Sequence, residues 1–214
     1  MCMSGAAQSG AEGPPILAIL DEYGDVEALI VRGERFNGPH APVELLRGVK
    51  LREIPEGVYV IPVERIEGDA IYTVNPCSFG MCWIQLYRDR AALEIMDRGK
   101  HWGFEIGIGP FMDMFRRSLR AVGRATGLIR GVHHDIDEDY HFITFTVPLD
   151  PEMTVEQALD LLDRLFRRVD EEMERRIAEF YEERLAAWRR LTRSRRARRG
   201  RGRRRAARGA GSRG

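Results

Sequence analysis

The chain has 214 residues, 43% of them hydrophobic, which allows one full domain with a real core and excludes two large domains or a disordered polymer. No apolar run approaches the ~18 residues of a membrane span, and Met1-Cys2-Met3-Ser4 has neither the basic residues nor the apolar core of a secretory leader, so a cytoplasmic protein with no membrane partner is expected. The net charge of +1 conceals an asymmetry: residues 189–214 hold 13 arginines and no acid, while the 188 residues before them carry 21 basic and 33 acidic groups, a net of −12.

The predicted elements, in chain order, begin after residues 1–13, which are small, polar and glycine-rich and are expected to be disordered. The apolar runs Ile16–Leu20 and Val26–Val31 flank the turn cluster Asp21-Glu22-Tyr23-Gly24-Asp25 and predict a β-hairpin. Pro42, followed by Val43, Leu45 and Leu46, predicts a short helix ending at Gly48. A second hairpin is predicted from Gly57–Val63 and Asp69–Val74, with the turn at Glu64–Gly68. Met81–Tyr87 reads as a strand, residues 89–96 as a helix, and Trp102–Ile108 as a strand with clean alternation. Pro110 starts a predicted helix that runs to Thr126 and stops at Gly127, and Tyr140–Val147 is the last predicted strand.

The most strongly marked element follows. Thr154 and Gln157 form a T-x-x-Q capping box before the apolar stripe Val155, Leu159, Leu162, Phe166, Val169, Met173, Ile177, Phe180 and then Leu185 or Trp188. Its mean spacing of about 3.7 residues is a helical period. Strands in tight pairs with interspersed helices predict an α+β fold: a mostly antiparallel sheet, two or three packed helices, a long C-terminal helix and a disordered basic tail. The expected division is a body at 14–150, the helix at 151–190 and the tail at 191–214. Thirty-two arginines against two lysines, with only two Asn and three Gln, fit a hot habitat, although a GC-rich genome leaves the same arginine mark.

The tail carries the foremost chemistry. Arg193, Arg195, Arg196, Arg198, Arg199, Arg201, Arg203, Arg204 and Arg205 have no apolar neighbour larger than alanine beyond Leu191. Each guanidinium can fork onto a phosphate, and counterion release drives such binding. Arg116, Arg120 and Arg124 recur every four residues on one face of the helix that Pro110 starts, opposite Phe111, Phe115, Leu119 and Val122. They are a candidate second phosphate contact, or an ordinary solvated face paired with nearby carboxylates.

Other residues suggest an enzyme. His101, His133, His134 and His141 cluster in the middle of the chain, and Glu105 stands alone on a glycine-rich strand face. The spacing in His133–His141 matches no established ligand pattern, so neither a metal nor a cofactor is expected. Cys77 and Cys82, with four residues between them, lack the second pair of a zinc site. The sequence therefore favours a nucleic-acid- or ribonucleoprotein-associated binding protein, with RNA preferred over DNA and the ribosome included among its partners. The alternatives are a small enzyme with its site near Glu105, His101 and His133–His141, or a module that assembles with a protein partner or its own copies through the 155–188 helix.

Overall fold

The structure is a computed structural model; it describes residues 14–97, 106–137 and 140–210, the stretch 191–210 by its backbone alone. The chain forms two units, one ending at Asp170 and the other beginning at Glu171.

The first hairpin forms where the sequence predicts it, from β1 (Ile16–Leu20) and β2 (Val26–Val31). Its turn is built by Asp21, whose Oδ1 accepts the backbone N–H groups of Tyr23 and Asp25 at 2.9 Å each. Gly24 closes the turn with φ at +87°, a conformation that side chains resist. A third strand, β3 (Glu34–Asn37), joins β2; its single apolar residue, Phe36, left no periodicity to read.

The helix predicted from Pro42 to Gly48 is not formed. His40–Pro42 is β4, which lies parallel to β5 (Ile61–Glu67), and turns follow it. These turns close by bonds three residues back: Leu45 N–H to Pro42, Leu46 N–H to Val43 and Val49 N–H to Leu46. Arg32 donates to the carbonyls of Leu45 and Arg47 at 2.8 and 2.6 Å. The side chain of a distant strand end thus takes acceptors that a continuing helix would have used. The second hairpin is present with a tighter turn than predicted. β5 runs through Glu67, only Gly68-Asp69 turn, and β6 (Ala70–Thr73) returns antiparallel.

A four-stranded antiparallel sheet holds most of the chain together. Its strands are β7 (Met81–Leu86), β8 (Arg90–Asp97), β9 (Arg130–Asp137) and β10 (Tyr140–Pro148), in the spatial order β7-β8-β10-β9. The segment predicted as a helix at 89–96 is the central strand β8. Ala, Leu, Glu and Met favour helix locally, but Ala91, Leu93 and Ile95 alternate into the core, and β7 and β10 satisfy its backbone on both sides. β9 was not predicted because its run of His and Asp has little apolar character. Residues 102–105 of the predicted strand Trp102–Ile108 lie outside the described residues; Ile106 is in a bend, and Ile108 already opens the next helix.

That helix, α1 (Ile108–Thr126), begins two residues before Pro110. Proline is harmless there, because the first-turn N–H groups have no helical partner. Gly127 ends it as predicted, with φ at +73° and its N–H bonded to Gly123 O at 2.8 Å. Phe111, Phe115, Leu119 and Val122 are buried, as their spacing requires. Together with Ile84, Ile95, Ile143 and Phe145 on the inner face of the sheet they form the core of the first unit.

The last helix, α2, spans Val155–Ala210. Its capping box is reciprocal: Thr154 N–H donates to Gln157 Oε1 at 2.9 Å and Gln157 N–H to Thr154 Oγ1 at 3.3 Å. The start of α2 is tied to residues 48–52. Gly48 N–H donates to Glu156 Oε1 at 2.9 Å, Val155 N–H to Val49 O at 2.9 Å, and Lys50 Nζ pairs with Glu152 at 2.9 Å. Val155, Ala158, Leu162, Leu165, Phe166 and Val169 are buried, and the Phe166 ring lies 6.0 Å from that of Phe145. The helical backbone runs on to Ala210, through the stretch predicted to be disordered. No proline follows Pro151, and Arg and Ala are both good helix formers.

Among the described residues the helices are α1, α2 and a single 3₁₀ turn at Leu51–Glu53. One helix therefore packs on the sheet beside the long one, where two or three were predicted. The elements expected at Pro42 and at 89–96 are turn and strand. The α+β class and the mostly antiparallel pairing hold, β4 with β5 being the one parallel strand pair among the described residues.

Candidate functional site

The arginines of α1 do not form a free cationic stripe. Arg116 and Arg117 both bind the Asp113 carboxylate, at 2.6 and 2.7 Å, one turn before them. Burial raises the Asp113 pKa, but the hydrogen bonds and charges of Arg116 and Arg117 outweigh it and leave the carboxyl below its ordinary value. Arg120 donates to Val132 O at 3.2 Å and so ties α1 to β9. Arg124 alone is exposed without a partner among the described residues. The acid that neutralises the stripe, Asp113, is the last one before a run without acids from Met114 to His134.

The second unit carries charge in a different arrangement. Glu172 pairs with Arg175 at 2.6 Å and with Arg176 at 2.7 Å, and Arg175 also reaches Glu179. These are neighbours one helical turn apart. Beyond them acids thin out, and none follows Glu183. Met173 is buried and Ile177 and Phe180 are half-buried, but Tyr181, Leu185 and Trp188 are 39%, 47% and 61% exposed. Arg193, Arg195, Arg196, Arg198, Arg199, Arg201, Arg203, Arg204 and Arg205 all follow on the helical backbone of the same unit.

The histidines divide between the two faces of the four-stranded sheet. His134 and His141 face inward, toward α1. Their rings stack 5.3 Å apart, and His134 Nε2 lies 3.1 Å from His141 Nδ1, so one ring donates and the other accepts. Burial, then the charges of His141 and Arg116, hold the His134 pKa below its ordinary value. His133 projects from the opposite face. His101 and Glu105 lie outside the described residues. No group of three potential metal ligands occurs among the described residues. Cys77 and Cys82 are both buried, and burial pushes the Cys82 thiol well up, away from a reactive thiolate.

The outer face of the sheet was not singled out in sequence, and it forms a pocket of about 510 Å³. Antiparallel register sets four of its residues in one row across all four strands. Trp83 of β7 is opposite Glu94 of β8, Glu94 is opposite Thr144 of β10, and Thr144 is opposite His133 of β9. Gln85 lies beside this row, and Ile61 of β5 forms a wall. At Gly131 the chain takes φ of +61°, next to the register shift between Thr144 and Thr146. One signal could have revealed this face. Cys82, Ile84 and Leu86 mark the core side of β7, which puts Trp83 and Gln85 outward. The helix predicted at 89–96 hid Glu94, because helical spacing puts it on no sheet face.

Compared with known proteins, the chain matches no protein-family model, no curated protein sequence and no solved structure. Among the described residues, no helix is long and apolar enough to cross a membrane.

Proposed function

We propose that this protein binds polyanions, nucleic acid foremost and RNA in preference to DNA, through the arginine-rich end of α2 and without strong sequence preference. The observation that carries this reading is the run of 13 arginines without an acid over residues 189–214, on a backbone that is helical to Ala210. Arg195 and Arg199, Arg199 and Arg203, and Arg201 and Arg205 stand four residues apart. Like charges at that spacing destabilise a helix by a few tenths of a kcal/mol per pair. A phosphate backbone relieves this repulsion, so binding and helix formation reinforce each other. Among the described histidines of the predicted cluster, His133 lies on the opposite sheet face from the stacked pair His134 and His141, and this separation supports a binding role over a catalytic one.

The test is removal of Thr192–Gly214, followed by fluorescence anisotropy with a 20-nucleotide single-stranded RNA and a matched DNA. The full chain should bind at least tenfold tighter than the truncated one, and its affinity should fall steeply with salt. The RNA complex should show more helical ellipticity than the sum of its parts. Full-length affinity in the truncated protein at moderate salt would overturn the reading.

A second reading, assembly through α2, is supported by the exposure of Tyr181, Leu185 and Trp188. With Ile177 they continue the predicted stripe at helical spacing, and a partner helix would bury them. Leu185→Glu with Trp188→Glu should then convert an oligomer to a monomer in light scattering. A clean monomer for the unaltered protein would exclude self-association.

A further inference from the structure

We propose that the outer face of the four-stranded sheet binds a small organic cation, an ammonium or guanidinium carried on an apolar body. The pocket's volume, about 510 Å³, lies within the range of small-molecule sites. Its floor is made by strands, with β8 and β10 paired on both sides, so the lining side chains are held in place before any ligand arrives.

The chemistry of the row selects the charge. Glu94 is the one carboxylate of the lining, and among the described residues it has neither an ion pair nor a hydrogen-bond partner. Trp83 stands directly opposite it on the neighbouring strand, with Cβ atoms roughly 4.5–5.5 Å apart by strand geometry. An indole face and a free carboxylate side by side are the two groups that attract an organic cation most strongly. His133, the one lining residue able to carry positive charge, lies two strands from Glu94, roughly 9–10 Å away at the usual strand spacing. It leaves the charged end of the row uncontested. Between them Thr144 offers a hydroxyl, so a ligand lying along the row meets Trp83 and Glu94 with its cation and Thr144 and His133 with a hydrogen-bonding end. Ile61 and Ala92 supply apolar contact for the body between.

The test uses the full chain and two probes of nearly equal shape, tryptamine and its neutral analogue tryptophol, titrated by calorimetry at pH 7. Tryptamine should bind at least tenfold tighter than tryptophol. Glu94→Gln, at an exposed position that leaves the fold intact, should reduce that ratio to within threefold, and Trp83→Leu should weaken both probes. Acetylated, amidated arginine run in parallel separates a free ligand from a peptide side chain, and it should bind more weakly than tryptamine. Equal binding of the two first probes, absence of tryptamine binding at millimolar concentration, a ratio unchanged in Glu94→Gln, or tighter binding of the capped arginine would each overturn the proposal.

Discussion

The two units of the chain use the same helix for opposite purposes. Up to Asp170, α2 is a core element: Val155, Leu162, Phe166 and Val169 are each at most 1% exposed. From Ile177 onward its apolar residues are half-buried or exposed, and no acid follows Glu183 in the sequence. The same amphipathic period therefore stabilises one unit and presents a surface in the other. Periodicity reports that a helix has an apolar face; it does not report what covers that face.

The largest effect should come from breaking the core half. Phe166→Ala removes a buried ring beside Phe145 and should cost about 3–5 kcal/mol in urea unfolding. The matching truncation in the other half, Leu185→Ala, should change stability by no more than about 0.5 kcal/mol at dilute concentration. Similar losses at the two positions would erase the distinction between the units.

A smaller effect sharpens the contrast between the arginines of α1 and those of the tail. Asp113→Asn removes the carboxylate that holds Arg116 and Arg117. The pair is about a third exposed, so solvent screens it and the cost should be about 1 kcal/mol. Freed arginines on α1 should raise RNA affinity no more than threefold if the tail supplies the contact. A tenfold gain would make α1 a phosphate site held closed by Asp113.

The smallest effect is a pH dependence confined to the first unit. His134 has a pKa below its ordinary value because burial, His141 and Arg116 disfavour its charged form. The folded state thus binds this proton less readily than the unfolded chain. The stability it contributes is complete above the ordinary histidine range, near pH 6.5, and is lost as pH falls through the depressed folded value. Urea midpoints should fall between pH 7.5 and pH 5, and His134→Gln should flatten part of that slope. A slope unchanged by the substitution would assign the effect to other groups, of which His40, also lowered by burial, is the first to test.

Where local chemistry sufficed, the sequence determined the outcome. The Asp21–Gly24 turn, the Gly127 stop, the Thr154–Gln157 cap and the apolar faces of α1 and early α2 each depend on residues within one or two turns of one another. The arginine run was equally legible, because its charge depends on no fold. Tertiary structure decided the rest. Residues 90–97 became a central strand because β7 and β10 lie on either side of it, a pairing that outweighs the helical preference of Ala, Leu, Glu and Met. The turns after Pro42 were set by Arg32, which reaches across from the end of β2. The row of Trp83, Glu94, Thr144 and His133 exists only through register, since its members lie up to 61 positions apart in the chain and meet because three strand pairings place them side by side.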